Sequence, residues 1–209
     1  MIISRSYDTN PGFQARAKAK DKMNLEIDQD WTLFLDRDGV INEEKHQAYV
    51  NHLDEFVFYP KAEAAIAMLS PMFYKTIVVT NQKGVGRGIT IIDELTRIHQ
   101  HMVSEVEKAG GNIHYIYYCP DLENDSPNRK PNSGMALQAK QDNPEIDLSN
   151  SIMIGNNASD MYFGRNAGIG INILLTTTQP LNVVDPAIYD FHFSSLYEAA
   201  VFIQGRVKK

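Results

Sequence analysis

The sequence of 209 residues has little cysteine, no long apolar run and no surplus of basic residues. One cysteine excludes an intramolecular disulfide and a cysteine-rich zinc site. No run approaches the roughly 20 apolar residues of a membrane-spanning helix, and Met1–Arg5 lacks the apolar core of a signal peptide. A net charge of −6 argues against a general nucleic-acid-binding surface. We therefore expect a cytoplasmic protein without a membrane or nucleic-acid partner.

What the sequence does contain is typical of a globular domain, with 43% of its residues hydrophobic and 22% charged. Its length fits a single domain, which we place at residues 30–209. Residues 1–29 are polar, with a turn signal at 10–12, a short helical pattern at 14–23 and a few interspersed basic residues. We interpret them as an N-terminal arm on the surface or on a partner subunit, and we expect a monomer or homodimer.

Apolar runs alternate with helical patterns along the domain. The runs are rich in β-branched and aromatic residues and predict strands at 31–35, 76–79, 113–118, 151–154 and 171–175, with a weak sixth at 191–193. Helical spacing or stop signals mark helices at 61–69, 92–109, 134–140, one ending at 164–167, and 196–204. Such alternation indicates right-handed βαβ units. We therefore predict an α/β fold with a mostly parallel sheet and helices on both faces.

Polar residues follow each of the first four predicted strands. They are Asp36 and Asp38, Thr80 and Asn81, Arg129 and Lys130, and Asn156 and Asp160. Because the carboxyl ends of parallel strands open on one edge of a sheet, we expect these groups to converge there.

This set of groups suits phosphoryl transfer through an aspartyl-phosphate. Two carboxylates one residue apart repel each other unless a cation or proton lies between them, and Mg²⁺ prefers such hard oxygen ligands. We assign Asp36 as the nucleophile and Asp38 as the acid that protonates the leaving alkoxide and then activates water. Thr80 and Lys130 would stabilise the equatorial phosphoryl oxygens.

Four motifs occur in the order Asp-Arg-Asp-Gly-Val-Ile-Asn at 36–42, Val-Val-Thr-Asn-Gln at 78–82, Arg-Lys-Pro at 129–131 and Gly-Asn-Asn-Ala-Ser-Asp at 155–160. In combination they resemble the haloacid dehalogenase-like phosphatases, and among these the branch of the D-glycero-D-manno-heptose 1,7-bisphosphate and histidinol-phosphate phosphatases. The resemblance covers about residues 31–205. It implies a Rossmann-like fold with a minimal cap, Mg²⁺, and the roles of Asp36 and Asp38 given above.

The resemblance also implies which residues bind substrate and metal. Arg129 helps to recognise the substrate, and the segments 81–83 and 42–50 touch it. The predicted substrate-binding residues are thus Asn42, Asn81, Gln82, Lys83 and Arg129. The predicted metal ligands are Asp36, Asp38, Asn156 and Asp160.

Two departures from the family pattern affect the metals. The fourth motif usually begins Gly-Asp, but this chain has Asn156, whose amide brings no charge and should lower the affinity for Mg²⁺. Asp160 is the alternative ligand, directly or through water, and a helix N-cap is the alternative role for Asn156. Many members also carry a zinc site before the third motif. This chain keeps only Cys119 there, so we predict no zinc.

We therefore expect a Mg²⁺-dependent phosphomonoesterase that acts on a small phosphorylated metabolite, with a sugar phosphate of the heptose bisphosphate type favoured. Histidinol phosphate is the alternative substrate. A catalytically weakened phosphometabolite-binding protein is the alternative from another class, and Asn156 motivates it. A phosphoacceptor receiver domain would place its acidic pair well before the acceptor strand, which this chain does not do.

Overall fold

A parallel sheet of six strands runs through the part of the chain that the computed structural model describes, residues 27–207. The strands are β1 (Thr32–Leu35), β2 (Lys75–Asn81), β3 (Tyr115–Cys119), β4 (Ser151–Gly155), β5 (Ile171–Leu175) and β6 (Phe191–Phe193). Their spatial order is β3-β2-β1-β4-β5-β6, and every neighbouring pair is parallel. The predicted helix at 14–23 and nearly all of the predicted arm lie outside the described residues.

The connections between the strands carry six α-helices in the described residues. They are α1 (Ala62–Leu69), α2 (Lys83–Gly86), α3 (Ile92–Lys108), α4 (Gly134–Asp142), α5 (Ala158–Ala167) and α6 (Leu196–Gln204). Short 3₁₀ turns occur at Leu53–Glu55, Ser70–Met72, Leu148–Asn150 and Leu181–Val183. Within residues 27–207, no helix is long and apolar enough to cross a membrane.

The sheet is buried on both faces because its central strands are largely apolar. In β1, Leu33 and Leu35 belong to one hydrophobic cluster and Phe34 to another, and all three are fully buried. The first cluster includes residues of α1, α3 and α6, and the second includes residues of α4 and α5. The α/β prediction with helices on both faces is therefore confirmed.

The segment between β1 and α1 forms the small cap expected from the resemblance. Its regular structure is limited to the single turn Leu53–Glu55. At the other end of β1, Ile27 is buried, and its backbone N–H donates to the carbonyl oxygen of Arg206 at 2.9 Å. Residue 27, which the sequence assigned to the arm, thus packs within the domain. The boundary between arm and domain stays a prediction.

Candidate active site

The carboxyl ends of β1, β2 and β4 surround a small polar cavity of about 140 Å³. Its lining comprises Asp36, Asp38, Glu44, Lys45, Ala48, Tyr49, Val50, Thr80, Asn81, Gln82, Lys130, Asn157, Ser159 and Asp160. The strand-end groups predicted from the sequence therefore do converge, apart from Arg129 and the fully buried Asn156 directly behind the lining.

Asp36 has one oxygen held by the protein and one that is not. Its Oδ1 lies 2.7 Å from the Lys130 Nζ and accepts the backbone N–H of Arg37 at 2.8 Å. No described residue donates to its Oδ2. Burial, followed by the charge of Asp160, raises the pKa of Asp36 to about 7 against the opposing effect of Lys130. The unpaired oxygen is the one available for attack or for a cation.

Lys130 is a buried ammonium group with three close oxygen neighbours. Its Nζ lies 2.7 Å from Asp36, 2.6 Å from Asp160 and 2.9 Å from the carbonyl oxygen of Val79. Burial opposes its charge, but the two carboxylates outweigh burial and raise the pKa of Lys130. Lys130 is therefore charged at neutral pH and fixed at the end of β2.

Asn81 fastens the loop that carries Lys130. Its side chain accepts the backbone N–H of Lys130 at 3.0 Å and donates to the carbonyl oxygen of Lys130 at 3.1 Å. This reciprocal pair connects β2 to the third motif. Asn81 therefore positions Lys130, in addition to its predicted role in substrate binding.

Asp38 is held by three protein donors. The Nη2 of Arg37 lies 2.8 Å from both of its oxygens, and Asn42 and Gln82 each donate to it at 2.9 Å. Burial opposes ionisation, but the charge of Arg37 and these hydrogen bonds outweigh it and lower the pKa of Asp38. Gln82 also donates to the Thr80 Oγ1 at 2.9 Å, so Thr80 is linked to Asp38 through it.

Arg37 is a site residue that the sequence reasoning missed. It is fully buried, and its Nη1 lies 3.3 Å from the Nε2 of His99 on α3. Burial and the charge of Arg37 lower the pKa of His99 to about 3, so this imidazole is neutral and accepts from Arg37. The available signal was a basic residue directly between two carboxylates, which favours an ion pair with one of them.

The loop after β4 brings Asp160 and Asn156 to the site. The Asp160 Oδ2 accepts the backbone N–H groups of Asn156 and Asn157 at 3.1 and 2.9 Å, while its Oδ1 contacts Lys130. The N-cap of α5 is Asn157, which corrects the alternative that assigned this role to Asn156. The Asn156 Nδ2 donates to Glu44 at 3.0 Å and to Thr178 at 2.8 Å. Its Oδ1 is buried and accepts no hydrogen bond from any described residue.

The Asn156 Oδ1 has no hydrogen-bond partner among the described residues, and no described residue donates to the Asp36 Oδ2, so both oxygens are available to a hard cation. The Asp38 carboxylate accepts from protein donors at both oxygens, whereas Asp160 accepts two backbone N–H groups at Oδ2 and contacts Lys130 through Oδ1. Within residues 27–207, no group of three or more His, Cys, Asp or Glu side chains has the geometry of a metal site. The donors present fit Mg²⁺, which needs only one or two protein oxygens besides water and phosphate.

Three predicted substrate-binding residues lie outside the cavity lining. Asn42 is fully buried and bonds to Asp38, Lys83 begins α2, and the Arg129 Nη1 lies 3.4 Å from the carbonyl oxygen of Asp121. The loop 42–50 instead contributes Lys45 and Tyr49 to the lining. The sequence identified this loop but not those side chains, because contacts in an irregular loop follow no period.

A family model described as "Polynucleotide kinase 3 phosphatase" matches residues 26–194. Together with the sheet and the carboxylate pair at the end of β1, this match defines the class of the protein. The chain belongs to this family of haloacid dehalogenase-like phosphatases. The family predicted from the four motifs is thereby confirmed.

More particular similarities are to heptose bisphosphate phosphatases. D-glycero-beta-D-manno-heptose-1,7-bisphosphate 7-phosphatase of Haemophilus influenzae is 32% identical over 184 residues, which cover 85% of this chain and 98% of that protein. D-glycero-alpha-D-manno-heptose-1,7-bisphosphate 7-phosphatase of Campylobacter jejuni is 41% identical over 143 residues, which cover 68% of this chain and 81% of that protein.

A crystal structure of D,D-heptose 1,7-bisphosphate phosphatase from B. bronchiseptica, complexed with magnesium and phosphate, has a TM-score of 0.75 to this chain. It is 25% identical, and the alignment covers 83% of this chain and 98% of that one. The similarity therefore extends over nearly the whole of that phosphatase.

Proposed function

We propose that this protein is a Mg²⁺-dependent phosphomonoesterase that hydrolyses a heptose bisphosphate through a phosphoryl group on Asp36. The observation that carries the proposal is the pairing of Asp36 with Lys130 at 2.7 Å, which leaves the Asp36 Oδ2 unbonded beside the cavity. The similarity to heptose bisphosphate phosphatases supports the sugar class.

The residues divide the reaction between them. Asp36 attacks phosphorus through its unbonded oxygen, and Lys130 with the Thr80 hydroxyl stabilises charge on the phosphoryl oxygens. Asp38 protonates the leaving oxygen and then takes a proton from the attacking water. The lowered pKa of Asp38 keeps it ionised and therefore able to accept a proton in the second step, whereas in the first step the negative charge of a bound phosphate would favour its protonated form.

Asp36 and Asn156 are the side chains that we propose to hold Mg²⁺, because the Asn156 Oδ1 accepts no hydrogen bond from a described residue and the carboxylate of Asp36 lines the cavity. When bound, the ion shields the phosphate from the negative nucleophile and holds the reacting oxygens in line. Asp38 and Asp160, which the sequence also put forward, would have to release protein donors in order to ligate through their carboxylates.

The cavity of about 140 Å³ is large enough for a phosphate group and the carbon next to it, so most of a sugar would lie outside. The loop that contributes Lys45 and Tyr49 would then select the substrate. A cytoplasmic location, the absence of zinc and the monomer or homodimer remain predictions. The relatives do not favour histidinol phosphate or a pure binding role.

Phosphate release from a substrate panel tests the proposal. The panel contains both anomers of the heptose bisphosphate, histidinol phosphate and a 3′-phosphorylated oligonucleotide, each with Mg²⁺ or EDTA. We expect a heptose bisphosphate to be preferred, EDTA to abolish release, and Asp36→Asn to reduce kcat by several orders of magnitude. Release that Asp36→Asn leaves intact would refute the mechanism. Preference for the oligonucleotide would refute the substrate class.

A further inference from the structure

The amide of Asn156 donates hydrogen bonds to two groups that come from distant parts of the chain. Glu44, from the loop after β1, accepts its Nδ2 at 3.0 Å, and Thr178, which follows β5, accepts the same nitrogen at 2.8 Å. The side chain is also pressed against the backbone, because a Cβ on Gly39 would lie 2.0 Å from its Nδ2. Asn156 therefore has little freedom to turn.

The chemistry of Glu44 decides which end of the amide points towards it. An ionised carboxylate only accepts hydrogen bonds, so it must face the NH₂ group of Asn156 rather than its oxygen. With both N–H bonds used, Oδ1 is the remaining polar atom. It is buried and has no partner among the described residues, although buried polar atoms are nearly always paired. This oxygen is therefore available to a cation.

We propose that Glu44 is a positioning residue for the metal: it turns the Asn156 amide so that Oδ1 is offered to the cation, and it supplies the negative charge that asparagine lacks. This inference rests on the proposed function, because it takes Mg²⁺ to bind at Asp36 and Asn156.

The location of Glu44 fits this role. Its side chain lines the same cavity as Asp36 and Asp38, so its charge acts on a cation held there. An aspartate at position 156 would bring a second carboxylate to within about the 3.0 Å that now separates Glu44 from the amide. The two negative charges would repel. Asn156 and Glu44 thus form a complementary pair, whereas aspartate at 156 would not need Glu44.

Calorimetric titration of the full chain with Mg²⁺ tests the inference without reference to turnover. Removing a group that orients a ligand typically costs about 10–100-fold in metal affinity, and we expect that loss for Glu44→Ala. Glu44→Gln should lose less, because its amide oxygen can still accept from Asn156. Glu43→Ala is the matched control: it removes the same charge from the neighbouring residue, which is also exposed but does not contact Asn156, and we expect it to leave the affinity unchanged.

A second background separates orientation from simple charge. In Asn156→Asp, the ligand is a symmetrical carboxylate, so Glu44→Ala should weaken Mg²⁺ binding by a smaller factor than in the wild type. The inference is overturned if Glu44→Ala binds Mg²⁺ like the wild type, if Glu43→Ala weakens binding equally, if Glu44→Gln loses as much as Glu44→Ala, or if the factor in Asn156→Asp is just as large. It is also overturned if the wild type binds no Mg²⁺.

Phosphate release by the same preparations distinguishes this inference from the proposed function. If the wild type is active and Mg²⁺-dependent but Glu44→Ala leaves its affinity for Mg²⁺ unchanged, only the inference is refuted. A wild type that binds Mg²⁺ through Glu44 and Asn156 but releases phosphate from no substrate defeats the proposed function alone.

Discussion

Asp36 is a buried carboxylate that shares one ammonium group, that of Lys130, with a second carboxylate, Asp160. Burial and the neighbouring negative charge make its ionised form costly, which is why its pKa rises to about 7. The cost is the residue-level reason to expect a cation at the site, because a cation beside Asp36 would relieve it.

The unfavourable ionisation of Asp36 should lower the stability of the protein in the absence of metal. Since the pKa of Asp36 is higher in the folded than in the unfolded chain, its contribution is most favourable at low pH and is lost as the pH rises towards 7. We expect Asp36→Asn in EDTA to raise the free energy of unfolding at pH 8, on the order of 2 kcal/mol, and to have little effect at pH 4.

Urea unfolding at the two pH values measures the effect. Asp54→Asn provides the control, because it removes a carboxylate from the exposed turn at 53–55. If Asp36→Asn were no more stabilising at pH 8 than at pH 4, the raised pKa of Asp36 would be contradicted.

At the scale of residues, the sequence predicted the groups that react better than the side chains that hold those groups in place. Asp36, Asp38, Thr80 and Lys130 could be recognised because their residue types and strand-end positions carry the reaction. Arg37 and Glu44 could not. Their contribution depends on which partner a side chain meets across the fold, and the Asn156–Glu44 contact joins residues 112 positions apart.

At the scale of elements, the turn from β4 into α5 determines where Asp160 lies. Gly155 ends β4, and a Cβ at this position would lie 2.2 Å from the Cβ of Asp160. A side chain here would push Asp160 away from both Lys130 and the backbone N–H groups that it caps. The glycine is thus required by a close approach between strand and helix.

We expect Gly155→Ala to lower the free energy of unfolding by roughly 1–3 kcal/mol, as overpacking usually does, and to reduce kcat through the displaced Lys130. Gly205→Ala is the matched control, because the nearest atom to its Cβ would be 3.6 Å away. Denaturant unfolding and phosphate release measure both. Wild-type kcat in a folded Gly155→Ala protein would refute the link to Lys130.

The elements themselves were predictable, since parallel strands that are buried on both faces form nearly continuous apolar runs in the sequence. Their ends were less so. The third strand was expected at 113–118 but spans Tyr115–Cys119, because it pairs with the register of β2 rather than following its own apolar run. The helix α4 likewise extends to Asp142, beyond the predicted 140.

Over the whole molecule, the described ends of the chain meet at the amino end of β1, away from the cavity. Ile27 forms a parallel bridge with Val207 and is 1% exposed. This residue precedes the apolar run of β1 in a polar context, so no periodic pattern indicated that it would be buried. Its burial depends on the opposite end of the chain.

This separation predicts that stability and catalysis can be changed independently. Ile27→Ala should lower the free energy of unfolding by about 2–5 kcal/mol, as expected for a buried isoleucine, while kcat/KM below the melting temperature stays at the wild-type value. Leu137→Ala, on the exposed face of α4, should change neither quantity appreciably. A Leu137→Ala variant destabilised as much as Ile27→Ala would contradict the assigned burial.

The three contacts of Lys130 have a consequence for charge conservation during turnover. In the proposed reaction, the Asp36 carboxylate becomes the neutral acyl end of an acyl phosphate, and the electron pair of the broken ester bond leaves on the alkoxide oxygen that Asp38 protonates. The transferred phosphoryl group brings its own negative charge next to Lys130. Lys130 therefore keeps one negative neighbour on that side and Asp160 on the other throughout the cycle. The ammonium group is thus flanked by negative charge before and after the transfer, so it needs neither to move far nor to lose its proton.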